Sequence, residues 1–167
     1  MTRYNTKIGD VFAVKIDDNR EKYFQLIAYD LTQLNSDVIR AFEEIYPLTD
    51  RPDIARIVNG KAEFHAHCVT KFGLKLGLWE KIGNSKYVSA TNDVLFRCTN
   101  DAGSQPGKRV IVSERWYVWH INDEDFTRVG RLTGKYRDAD LGMVVNPYDI
   151  VERVKTGKYS FLYPGFE

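Results

Sequence analysis

Residues Ile8 to Tyr29 read IGDVFAVKIDDNREKYFQLIAY. Two apolar runs, Val11–Ile16 and Tyr23–Tyr29, flank the polar segment Asp17-Asp18-Asn19-Arg20-Glu21-Lys22. Short runs rich in Val, Ile, Phe and Tyr on either side of an Asp/Asn turn are the mark of a β-hairpin. This pair is expected to seed a β-rich core.

Outward from the hairpin, Leu31–Ser36 reads as a turn. Asp37–Tyr46 is open between two readings. Val38, Ile39, Phe42 and Ile45 would line a helical face, while Val38, Arg40, Phe42 and Ile45 only roughly alternate. Its place after a hairpin, and Pro47 stopping it, favour a third strand. Leu48–Ile54 reads as a loop. Ala62–Cys68 alternates cleanly, with Ala62, Phe64, Ala66 and Cys68 on one face and Glu63, His65 and His67 on the other. That pattern predicts a half-buried strand with its histidines in solvent. Thr70–Gly77 reads as a short helical turn, and Leu78–Gly83 and Asp93–Cys98 read as strands. Thr99–Lys108 is the most turn-like segment of the chain. Arg109–Val112 and Trp116–Ile121 are expected to bracket another strand pair, followed by an acidic turn at Asn122–Asp125. Thr133–Leu141 is a polar connection and Gly142–Val145 a short strand.

One helix is clear, over about 147–156. Asn146 can cap it through its side-chain carbonyl, and Pro147 lacks the amide proton that would otherwise go unsatisfied. Asp149 sits at the positive end of the helix dipole, and Ile150, Val151 and Val154 form the apolar face. Arg153 and Lys155 charge the last turn, and Gly157 suits a left-handed stop. The aromatic tail Tyr159–Glu167 is expected to pack on the body. The expected fold is α+β and mainly β: an antiparallel, strongly curved sheet or partly open barrel carrying this C-terminal helix.

The 167 residues contain no internal repeat or linker and fit one globular domain, which at this length buries roughly 70% of its unfolded surface. Aromatics make up 13% of the chain, a composition that favours pleated, half-buried surfaces. Charge is balanced: the formal net value is +1, from 24 Lys and Arg against 23 Asp and Glu. A dedicated nucleic-acid binder normally carries a basic excess, because phosphate neutralisation drives its affinity. No stretch resembles a signal peptide or a membrane span, and two distant cysteines, Cys68 and Cys98, fit free thiols in a reducing cytoplasm.

The chemistry-bearing patterns are sparse. His65 and His67, two apart on a strand, could grip one ion with His120 as a third ligand. Solvated histidines are the plainer reading, and no metal or cofactor is assigned. Cys68 or Cys98 could be paired with a histidine as a nucleophile, but Cys68 falls on the apolar face, where thiols are inert. Gly103-Ser104-Gln105-Pro106-Gly107-Lys108-Arg109 holds glycine and lysine without the spacing of a phosphate-binding loop. In Trp116-Tyr117-Val118-Trp119-His120, aromatics point both ways. If one set is exposed, Trp116 and Trp119 beside Asp123, Glu124 and Asp125 would form a protein-binding patch. Coverage of both faces in a two-layer fold is the alternative.

Ile8-Gly9-Asp10-Val11-Phe12-Ala13, Tyr23-Phe24-Gln25-Leu26-Ile27, Trp79-Glu80-Lys81-Ile82-Gly83 and Ile150-Val151-Glu152-Arg153 leading into Thr156-Gly157 together resemble the immunity protein 26 family of bacterial polymorphic toxin systems. Pro47–Phe72 and Asp93–Ser113 contribute no piece to the resemblance. The resemblance implies a small cytosolic protein, not an enzyme, that binds a cognate toxin, often a nuclease, and blocks it by occlusion. It carries over no functional residue; Gly9 and Asp10 read as shaping the strand entry. The contrasting reading is a β-barrel that binds single-stranded nucleic acid by stacking bases on Tyr and Trp.

Overall fold

The computed structural model describes residues 3–102 and 107–167. Strands β1 (Asp10–Lys15) and β2 (Arg20–Asp30) form the expected antiparallel hairpin, with Phe12 opposite Phe24. The second strand begins at Arg20, earlier than the apolar run, because Ile16 and Asp17 hydrogen-bond back to the Arg20 carbonyl and close the turn there. At the strand entry, Asp10 accepts from the Lys7 amide and from Asn84, and pairs with Lys81. Asp37–Tyr46 resolves as strand, with β3 (Ser36–Phe42) paired to β2 and a two-residue β4 (Tyr46–Pro47) meeting the start of β2. The five-residue helix α1 (Ile54–Val58), capped by Asp53, ends the segment read as a loop.

Strand β5 (Ala62–Cys68), helix α2 (Thr70–Lys75) and β6 (Glu80–Asn84) complete a first sheet of order β5-β3-β2-β1-β6, with β4 beside β2. A second sheet has the order β10-β7-β8-β9. It is built from β7 (Leu95–Thr99), β8 (Trp116–His120), β9 (Thr127–Gly130) and β10 (Asp140–Leu141). Among the described residues the paired strands run antiparallel except β10 with β7. The chain is therefore mostly β and antiparallel, and neither sheet closes into a barrel.

Three local expectations shift. Arg109–Val112 is not a strand; within it only Val112 makes an isolated bridge, to Gly165 of the tail. The strand expected at Gly142–Val145 lies two residues earlier, and Val144 contributes just a bridge to His67. Of the turn at Thr99–Lys108, Gly103, Ser104, Gln105 and Pro106 lie outside the described residues.

Helix α3 (Pro147–Thr156) follows its sequence signals closely. The Asn146 side chain accepts from the Tyr148 amide, and Gly157 takes the left-handed conformation at φ 83°. Its buried residues Ile150 and Val154, with Trp79 behind α2, cover one face of the first sheet, formed by Phe12, Phe24, Leu26, Ile39, Phe64 and Ala66. The opposite face is covered as well. Ile27 and Val38 pack against Val94, just ahead of β7, and against Phe96 and Trp119 of the second sheet, and α1 covers Val11, Ala13 and Tyr23. The first sheet is thus a middle layer.

Candidate partner-binding surface

Strand β8 is covered on both sides, which removes two residues from the predicted contact patch. Trp116 and Trp119 are each 1% exposed. Trp116 faces the tail, tilted against Tyr163 and edge-on to Phe166, and its indole N–H donates to the Ser113 carbonyl at 2.8 Å. Trp119 faces the first sheet beside Phe96 and His67. Residue 142 passes so close over Trp119 that a Cβ there would lie 2.1 Å from Cη2, so only glycine fits. Both indoles are core, and neither is offered to a partner or to a nucleobase. A stacking barrel therefore loses its two β8 tryptophans along with its barrel.

The acidic turn behaves differently. Asn122 adopts a left-handed conformation, φ 65°, and the His120 amide donates to Asp123 Oδ2 at 2.7 Å. Four hydrogen bonds fasten this turn to the loop after β2: the Leu31 amide to Asn122 Oδ1 (2.7 Å), Thr32 Oγ1 to the Asp123 carbonyl (2.7 Å), and Gln33 Nε2 to the Asp123 and Glu124 carbonyls (2.9 and 2.8 Å). The carbonyls being bound, the carboxylates of Glu124 and Asp125 stand free in solvent. They are flanked by Leu31, 68% exposed, and Phe126, 42% exposed. An acidic ridge with two apolar neighbours results, held rigidly by two segments ~90 residues apart in the chain.

Beside this ridge a cleft of about 920 Å³ opens between the sheets, and Asp123 and His120 stand at its wall. Its lining bears the carboxylates Glu63, Asp93, Asp123, Asp138 and Asp140 against the cations Arg40 and Lys135. Arg40 is already engaged: it donates to the Ser89 and Ala90 carbonyls (3.2 and 3.0 Å) and, through Nε, to His65 Nε2 (3.0 Å). Because a guanidinium can only donate, His65 Nε2 is bare and Nδ1 carries the proton, donating to Asp140 Oδ2 at 3.1 Å. Burial lowers the Arg40 pKa from its ordinary value, with Asp93 opposing; an arginine stays charged regardless.

The expected solvated histidines are a further correction. His67 is fully buried and bonded to Asp30, and His65 is largely buried between Arg40 and Asp140. The polar face of β5 is roofed by the second sheet, so its polar groups pair with each other instead of with water. His120 lies apart, near Asp123 at 3.4 Å. Among the described residues no group of three or more His, Cys, Asp or Glu is arranged to hold a metal ion. Cys68 is buried and burial drives its thiol pKa far up, away from thiolate chemistry; Cys98 accepts from the Tyr163 hydroxyl at 3.2 Å. Both thiols are free. No helix among the described residues is long and apolar enough to cross a membrane.

A family model described as Immunity protein 26 matches residues 7–109. The chain belongs to the Immunity protein 26 family. No curated protein and no solved structure matches it. The match runs from β1 through β7 and includes Pro47–Phe72, where no resemblance was evident, yet it stops short of Ile150–Gly157. Membership in the Immunity protein 26 family implies an immunity protein of a toxin system. The ridge joins the two parts: Leu31, Thr32 and Gln33 lie within the matched span and Asn122–Asp125 beyond it.

Sequence reasoning missed Asp30, Arg40 and Asp140. Arg40 left a trace, as the one charge inside the apolar run VIRAF. Asp30 and Asp140 left none, because their partners are remote in sequence.

Proposed function

We propose that this protein binds a cognate bacterial toxin and neutralises it by occlusion, without catalysis, and that the Asn122–Asp125 ridge makes a central contact. The observation that carries the proposal is the ridge itself: Glu124 and Asp125 exposed on a turn pinned through the Asn122 side chain by Leu31 and through its backbone carbonyls by Thr32 and Gln33. Preorganisation matters because a rigid loop loses little conformational freedom on binding. The ridge and the acidic cleft favour a basic partner surface, and a nuclease, whose cleft must attract phosphates, supplies one. Its free thiols fit the reducing cytoplasm of the toxin-producing cell.

The test is co-expression with the toxin domain encoded beside this protein, reading complex formation and cell survival. A complex and protection are expected, both weakened when Glu124 and Asp125 become lysine. Neither complex nor protection with any neighbouring toxin overturns the proposal.

A further inference from the structure

Asp30 ends β2 fully buried, and both of its oxygens are engaged. Oδ2 accepts from His67 Nε2 at 2.8 Å and from the Trp119 indole at 3.2 Å. Oδ1 accepts from the Gln33 and Asn122 amides at 3.4 Å each. One carboxylate therefore links β5, β8 and the turn that bears Glu124 and Asp125. Because a carboxylate can only accept, His67 Nε2 carries the proton and Nδ1 is bare. That Nδ1 is buried with no partner, and the ring lies 4.2 Å from the Phe96 ring. A second proton placed on it would have no acceptor within the closed joint.

We propose that the Asp30–His67 joint is an acid-sensitive catch that holds the Asn122–Asp125 turn in the form presented to a partner. The proposal rests on the reading of that turn as a partner contact. Other charges near the joint are committed elsewhere. Arg40 of β3 and Asp140 of β10 meet His65, and Asp37 of β3 accepts from Thr70. His120 faces Asp123. From the second sheet, Phe96 and Trp119 bring no charge, and Cys68 lies on the opposite face of β5.

The direction of the response follows from the two groups. Burial holds His67 below the ordinary imidazole value, outweighing the raising effect of Asp30. Burial pushes Asp30 up, but hydrogen bonds from His67, Trp119 and Gln33 hold it below the ordinary carboxylate value. The imidazole's contribution is thus intact above its unfolded pKa of about 6.5 and lost as pH falls through the lower folded value. Asp30 remains ionised until below about pH 3.8, so the histidine opens the catch first.

Hydrogen exchange by NMR on the whole protein, wild type and His67→Gln, tests this between about pH 7.5 and about pH 5.5. Glutamine can still donate to Asp30 but does not titrate. In the wild type, protection at the Asn122 amide and the Trp119 indole should fall by up to about tenfold per pH unit, while Phe24 in β2 stays protected. His67→Gln should show no such slope. Unchanged wild-type protection, or an equal loss in the variant, overturns the catch. The wild-type imidazole resonances add a measurement that needs no variant: His67 titrating without any loss of protection at Asn122 and Trp119 also overturns it. Binding that survives lysine at positions 124 and 125 would instead overturn the surface reading, and with it the role of the catch in presentation, while the exchange result stands.

Discussion

The two faces of the first sheet are built from the same strands and do opposite work. Toward α2 and α3, Phe12, Phe24, Leu26, Ile39 and Phe64 make an apolar layer, with Phe12 and Phe24 stacked at 5.0 Å and Trp79 edge-on to Phe24 at 5.1 Å. Toward the second sheet, the same strands set Asp30, Arg40, His65 and His67 beside Ile27 and Val38 in a covered layer, each polar group bonded to a partner across it. Apolar burial is non-directional and tolerates a change of shape; a buried polar pair requires its own partner in its own place. The first face supplies adhesion. The second fixes how the two sheets, and hence the ridge, are set against each other.

Truncating each face should expose that difference. Phe24→Ala removes a ring at the centre of the apolar layer and should lower stability by about 4 kcal/mol in denaturant unfolding. Phe24→Leu should recover most of that loss, because adhesion there depends on area and volume. Gly142→Ala strikes the inter-sheet layer, where the new methyl would collide with the Trp119 ring. About 3 kcal/mol is expected, with a shift in tryptophan fluorescence reporting the displaced indole. An unshifted spectrum would mean that the backbone, and not the ring, had moved. Arg40→Met keeps a stem of similar bulk but removes every donor to Ser89, Ala90 and His65. It should cost about 2 kcal/mol, and the His65 nitrogen shifts should report an imidazole freed to change tautomer. If Arg40→Met proved neutral, the polar face would be as forgiving as the apolar one and the contrast would collapse.

The contrast also explains which parts of the molecule could be read from sequence. The hairpin and α3 rest on neighbours: two apolar runs about a polar turn in β1 and β2, the Asn146 cap, Pro147, and the stop at Gly157. Their physics is local, so their pattern is local. The alternation of β5 was equally legible and still misleading about its histidines. A period-2 pattern reports which residues share a face, not whether another layer roofs it. The partner of His67 lies 37 residues away at Asp30, and Trp119 reaches Asp30 across 89. The short β9 and β10 had no periodicity to show; β10 is set by register with β7 and by the reach of Asp140 to His65. The acidic turn was visible as composition. Its rigidity was not, because that comes from Thr32 and Gln33 on the far side of the chain.

The smallest effect on stability is expected where the effect on binding is greatest. Glu124 and Asp125 form no ion pair within the ridge and stand in solvent, so lysine at both positions should change unfolding free energy by no more than about 0.5 kcal/mol. Partner association should respond far more strongly, by about tenfold or more in on-rate at low salt, with the difference shrinking as salt screens the encounter. Gln33→Ala sharpens the same point from the other side. It keeps both carboxylates but removes two of the four bonds that pin the turn. Charge steering should survive in that variant, leaving the on-rate near wild type, while the loosened turn raises the off-rate. If charge reversal and Gln33→Ala altered the same rate constant, rigidity and charge could not be separate contributions of the two sheets. If they divide between on-rate and off-rate, the second sheet supplies the charge of the ridge and the first sheet supplies its hold.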